Sequence, residues 1–159
     1  MDDLLRGDPV AGAAESLISF AAYWRSPLNY TAYVANNVFL ADINNERAAK
    51  NATYKKNLMS LNRMALLVAE KDDIVIPRTS PWFSFYDTAG SGSDSRVLSY
   101  NDTPLYTEDW IGLKALDAAG KIVRWAVNCT HQNVPRDSCK EESYDNVTKA
   151  LLDNFLPAK

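Results

Sequence analysis

The spacing of apolar residues along the chain switches between helical and strand-like rhythms. Over residues 9–24, Leu17, Phe20, Ala21 and Trp24 recur at helical intervals, and Pro27 ends the segment. Residues 29–51 are polar apart from short pieces such as Val38-Phe39-Leu40-Ala41, and read as loop and short helix rather than as a core element. Residues 51–62 predict a helix presenting Tyr54 and Leu58. The run Met64-Ala65-Leu66-Leu67-Val68-Ala69 is unbroken and stops abruptly at Glu70-Lys71-Asp72-Asp73, the pattern of a parallel strand buried on both faces. Ile74-Val75-Ile76-Pro77, an aromatic knot of Trp82, Phe83, Phe85 and Tyr86, and a Gly/Ser loop over residues 89–95 follow. Thr107-Glu108-Asp109 predicts a helix start, with Trp110, Leu113 and Leu116 continuing it and Gly120 capping its end. Ile122-Val123-Arg124-Trp125-Ala126-Val127 is a second strand, and residues 143–156 carry a final helical stripe of Val147, Ala150, Leu151 and Phe155.

The order strand, loop, helix, strand, helix places the chain in the α/β class, with no internal repeat, linker or domain boundary. A strand–helix–strand crossover is right-handed almost without exception and makes its strands parallel, so both carboxyl ends lie on one edge. Catalytic groups in open α/β sheets gather outside that edge. Asp72 stands just past the first strand, and His131, the only histidine, just past the second. The topology therefore brings a specific carboxylate toward the one imidazole. Asp73 competes with Asp72, but adjacent side chains on an extended segment point opposite ways, so only one serves.

Composition narrows the partners. The 159 residues are 47% hydrophobic and 23% charged, with a net charge of -3, which gives no electrostatic reason to expect nucleic acid or an anionic membrane. No apolar run reaches the roughly 18 residues of a membrane span. Asn-x-Ser/Thr sequons occur at Asn29, Asn51, Asn101, Asn128 and Asn146, against about one or two expected by chance, and point to the secretory pathway. Cys129 and Cys139 are the only cysteines; their spacing is compatible with a short disulfide loop or with a free pair, and no zinc-type cluster is present. Met1-Asp2-Asp3 opens no signal peptide, so the expectation is a secretory protein whose front lies upstream.

An Asp followed by Ile-Val-x-Pro after a buried strand is the local pattern of the triad acid in α/β hydrolases, whose chain order is nucleophile, acid, histidine. Longer blocks resemble one family within that class. Val38-Phe39-Leu40-Ala41-Asp42-Ile43-Asn44-Asn45-Glu46-Arg47 and Asn51-Ala52-Thr53-Tyr54-Lys55-Lys56-Asn57-Leu58 are similar to segments of palmitoyl-protein thioesterases. So are Asp73-Ile74-Val75-Ile76-Pro77 with Trp82-Phe83-Ser84-Phe85-Tyr86, and Leu105-Tyr106-Thr107-Glu108-Asp109-Trp110-Ile111-Gly112-Leu113-Lys114, the last in the form associated with plant and algal members. The resemblance covers essentially the whole chain. It implies a lysosomal or vacuolar hydrolase that needs no cofactor or metal and removes long-chain acyl groups from cysteine thioesters of S-palmitoylated proteins. It aligns Asp72 with the triad acid and His131 with the triad histidine. Residues 1–159 are then the C-terminal part of one α/β-hydrolase domain: 1–62 form insertion helices along an acyl groove, and 63–159 the terminal strand-helix-strand-helix. Phe20, Trp24, Val38 and Leu40 are candidates to line that groove. Cys129-Thr130-His131 and the cysteine pair around Arg136 depart from the family pattern as a local elaboration.

No Gly-x-Ser-x-Gly occurs anywhere; Gly90-Ser91-Gly92-Ser93-Asp94 lacks its spacing and follows no strand. The expectation is a chain with acid and histidine but no nucleophile, inactive by itself and prone to aggregate through unpaired strand edges. A non-catalytic remnant binding a partner, or another α/β-hydrolase esterase, are the competing readings.

Overall fold

The computed structural model describes residues 23–88, 96–134 and 139. Nearly all of the predicted first helix, the Gly/Ser loop and the final helix lie outside the described residues. The described elements run α1 (Tyr30–Asn36), α2 (Leu40–Ile43), α3 (Ala52–Met59), β1 (Met64–Ala69), β2 (Phe85–Tyr86), β3 (Val97–Leu98), α4 (Pro104–Thr107), α5 (Leu113–Ala118) and β4 (Ile122–Val127).

The two expected strands form over the expected residues and pair in parallel, from Met64 opposite Ile122 to Ala69 opposite Val127. Their apolar side chains anchor two clusters at opposite ends. Met64 and Ile122 pack against Tyr100, Ile111 and Leu113, where Leu58 of α3 also docks. Ala69 and Val127 pack with Cys139, flanked by Leu67, Cys129 and Val134. The Trp82 indole N–H donates to the Leu66 carbonyl at 3.2 Å, seating the turn Ser80–Trp82 on β1. Burial departs from expectation: β1 is fully buried only at Val68 and Ala69, and β4 exposes Arg124 and Ala126. Among the described residues this sheet has two strands.

The helix expected from Thr107 is corrected. Thr107 ends α4, which Pro104 opens at its first position, where a missing N–H costs nothing. The chain then turns through Asp109 and Gly112, at φ 53° and 87°, and only Leu113 begins α5. The acid does cap a helix, but the later one: Asp109 Oδ1 accepts from the Lys114 N–H at 2.9 Å. A side chain at Gly112 would both strain this backbone and run into Met59. Gly120, at φ 65°, follows α5 as the sequence implied. The pairing of β2 with β3 was not foreseen, since two residues per strand carry no period.

Residues 29–51 form loop and short helix as expected, but they are not outside the core. They hold a buried polar centre around Glu46, whose carboxylate meets Arg25 at 2.9 Å and accepts from Tyr33 Oη at 2.8 Å and from Asn44 Nδ2 at 3.1 Å. Burial and the Glu46 charge push the Tyr33 phenol far above its ordinary value, so it remains a donor. Asn37 caps α2 by accepting from the Phe39 and Ala41 N–H groups. Asn45, itself at φ 55°, ties this layer to the next by donating to the carbonyls of Asn51 and Trp110. The apolar period misses such a layer because hydrogen bonds, not apolar contact, make burial tolerable here. Glu46→Ala would strand the Arg25 guanidinium and is expected to cost about 3 to 5 kcal/mol, read as a fall in the urea midpoint.

Candidate active site

The carboxyl ends of β1 and β4 are stitched together by backbone. Glu70 N–H donates to the Val127 carbonyl at 2.8 Å, and Lys71 N–H to the Cys129 carbonyl at 3.0 Å. The turn closed by Asp72 N–H on the Ala69 carbonyl, at 3.1 Å, swings the Asp72 side chain inward, where it is 4% exposed. Across the rim, β4 runs out through Asn128, Cys129 and Thr130 into a single turn, His131–Asn133.

Asp72 Oδ2 and His131 Nδ1 stand 2.8 Å apart. Asp72 Oδ1 accepts from the backbone N–H groups of Ile74 and Val75, both at 2.9 Å. One oxygen thus fixes the carboxylate and the other is left for the imidazole. An ionised carboxylate only accepts, so Nδ1 carries the proton, and the neutral ring keeps its lone pair on Nε2. The His131 side chain is 44% exposed against 6% for Asp72. A sheltered anion therefore orients an accessible base, the arrangement general-base chemistry needs. Asp73 is exposed, and the structure brings Asp72, not Asp73, to the histidine.

Burial alone would raise the Asp72 carboxyl, but hydrogen bonds from Val75 N–H, His131 and Ile74 N–H, with the His131 charge, outweigh it and hold it below the ordinary 3.8. The unfolded chain then binds more protons than the folded one in the acid range. This contribution to stability is complete above the ordinary value and is lost as pH falls through the folded value. Wild type is expected to lose urea resistance below about pH 4 more steeply than Asp72→Asn, a comparison of midpoints against pH that equal slopes would refute.

A cleft of about 490 Å³ is lined by neither Asp72 nor His131 but reaches Ile74 and Val75, the residues that follow the acid. Trp24, Leu40, Phe85 and Leu105 give it apolar walls, Arg25 and Glu46 a charged patch, and Ile74 and Val75 both line it and hold Asp72. Of the apolar positions singled out from sequence, Trp24 and Leu40 line the cleft, Phe20 lies outside the described residues, and Val38 is 60% exposed and lies elsewhere. Sequence reasoning missed the two backbone donors, although an Asp before a turn is the known signal for such bonds. It also missed Arg25 and Glu46, which no local pattern in the sequence marks.

Cys129 and Cys139 are joined in a disulfide with Cα atoms 6.0 Å apart. Of the sequon asparagines, Asn51, Asn101 and Asn128 are exposed and Asn29 half-buried, while Asn146 is outside the described residues. Asn29 and Asn51 also cap α1 and α3 through Oδ1. Among the described residues no cluster of His, Cys, Asp and Glu fits a metal ion, and no helix is long and apolar enough to cross a membrane.

The model of the family described as palmitoyl protein thioesterase matches residues 3–131, a span that includes Asp72 and closes on His131. Palmitoyl-protein thioesterase 3 of Dictyostelium discoideum is 36% identical over 154 residues, covering 97% of this chain and 52% of that protein. Palmitoyl-protein thioesterase 1 of Caenorhabditis elegans is 42% identical over 116 residues, covering 73% of this chain and 38% of that protein. Human Lysosomal thioesterase PPT2 is 36% identical over 107 residues, covering 67% of this chain and 34% of that protein. The chain thus spans about half the length, or less, of these relatives.

Proposed function

The chain belongs to the palmitoyl protein thioesterase family, and from that membership we propose that it supplies the acid and base of a hydrolase that releases long-chain acyl groups from S-acylated cysteines. Its fold is a partial α/β hydrolase, with the parallel β1–β4 pair and crossover α5 of that class. In the proposal residues 1–159 are the C-terminal part of one such domain, with residues 1–62 along the acyl groove. The single observation that carries the reading is the 2.8 Å contact between Asp72 and His131 Nδ1, which leaves Nε2 to face a nucleophile.

The nucleophile in this reading is a serine hydroxyl from polypeptide outside these residues, since the chain holds no Gly-x-Ser-x-Gly. His131 Nε2 takes the hydroxyl proton as the oxygen attacks the thioester carbonyl, and Asp72 stabilises the imidazolium that forms. The carbon–sulfur bond breaks, and the cysteine sulfur leaves with the proton from His131. Water then gives a proton to Nε2 and attacks the acyl-serine, releasing the fatty acid and restoring the hydroxyl. The cleft of about 490 Å³, which Ile74 and Val75 line, suits part of an acyl chain, with Trp24, Leu40 and Leu105 as apolar contacts.

Some relatives are named lysosomal thioesterases. A lysosomal or vacuolar location, reached through the secretory pathway with glycans at the exposed sequons, is the matching proposal here. The test is hydrolysis by the full-length protein of a palmitoyl-cysteine peptide against the oxygen ester of the same chain. Preference for the thioester is expected, and equal rates would remove the thioesterase assignment.

A further inference from the structure

Among the described residues, one backbone hydrogen bond ties the segment leading into the His131 turn to the chain leaving β1, that from Lys71 N–H to the Cys129 carbonyl. Past the Lys71–Cys129 bond at 3.0 Å, the turn carries a local hydrogen bond from Asn133 N–H to the Thr130 carbonyl, also 3.0 Å. The imidazole is half in solvent, where water competes for the contact with Asp72. Two features fix the turn from either side. Cys129, two residues before His131, is bonded to Cys139, which is 5% exposed and packs on Ala69 and Val127 at the carboxyl ends of β1 and β4. Val134, three residues after His131, packs on the same cluster. The disulfide thus pins the segment bearing the base to the strand end from which the acid emerges.

We infer that the Cys129–Cys139 disulfide is a positioning device that keeps His131 on Asp72. The site is assembled only where the disulfide persists, which ties activity to oxidising compartments. A dithiol reductant undoes it: the sulfur–sulfur bond breaks, Cys129 and Cys139 become thiols, and the dithiol is oxidised to its cyclic disulfide with transfer of two electrons and two protons. The kinetic consequence rests on the acid–base reading given above; the placement of His131 rests on geometry alone.

The test uses the full-length protein and the double variant Cys129→Ser/Cys139→Ser. The first readout is the downfield proton resonance of a carboxylate-bound imidazole N–H. It is expected in wild type and lost in the double variant, with the remainder of the spectrum still that of a folded protein. The second is kcat for a palmitoyl thioester, expected to fall about 100-fold at nearly constant KM, as for a displaced catalytic group. If the double variant does not fold, a dithiol is added to folded wild type. If it folds, the dithiol is added to both proteins, so that effects on other disulfides are seen separately. A persisting resonance and kcat in the reduced or substituted protein, with only a lower melting temperature, would overturn the inference. Failure of the catalytic reading looks different: the resonance responds as expected, while His131→Ala hydrolyses substrate as wild type does.

Discussion

Replacing His131 with alanine in the full-length enzyme is expected to lower kcat for palmitoyl-thioester hydrolysis by roughly a million-fold, with KM within a few-fold of wild type. The size follows from the geometry. With Nδ1 committed to Asp72 at 2.8 Å, Nε2 is the position left to accept a proton from a nucleophile. The residual rate comes from substrate binding and oxyanion stabilisation, neither of which His131 provides. Because the side chain is 44% exposed and absent from both apolar clusters, the fold should tolerate alanine. An unchanged melting temperature with abolished turnover separates chemistry from folding, and retained turnover would remove His131 from the mechanism.

Asp72→Asn should cost about 10,000-fold in kcat, for a different reason. The amide oxygen can still accept from Ile74 and Val75, so the turn survives. The amide nitrogen, however, now donates toward Nδ1, which forces the ring proton onto Nε2 and leaves no lone pair for the nucleophile. Asp73→Asn is the matched control. Asp73 is exposed, and its loss should change kcat by less than about two-fold. Steady-state kinetics on the two variants decides between neighbouring aspartates that the amino-acid pattern left in competition. A larger loss for Asp73→Asn would reverse the assignment.

The candidate pair was legible because its placement depends on topology rather than on side-chain detail. The unbroken apolar run Met64–Ala69, stopped by charge, and the run Ile122–Val127, interrupted only by Arg124 and stopped by Asn128, mark the strands to the residue. The handedness rule then puts Asp72 and His131 on one rim. The helix start was misread because Thr107-Glu108-Asp109 has the composition of a helix opening while Pro104, three residues earlier, had already begun a separate turn. Local composition cannot distinguish an acid capping its own segment from one capping the next. Glu46 and its partners were illegible for another reason. Arg25 lies 21 residues away, and long-range polar pairing leaves no periodic trace. The disulfide was an open alternative, since spacing permits a bond without requiring one.

The central claim is that Asp72 and His131 together activate a serine hydroxyl. Its most direct test is the rate at which a long-chain alkyl fluorophosphonate, which reacts with activated serines, labels the full-length protein. Wild type and Asp73→Asn are expected to label alike, while His131→Ala and Asp72→Asn remain unlabelled over the same interval. Equal labelling of all four proteins would contradict the account.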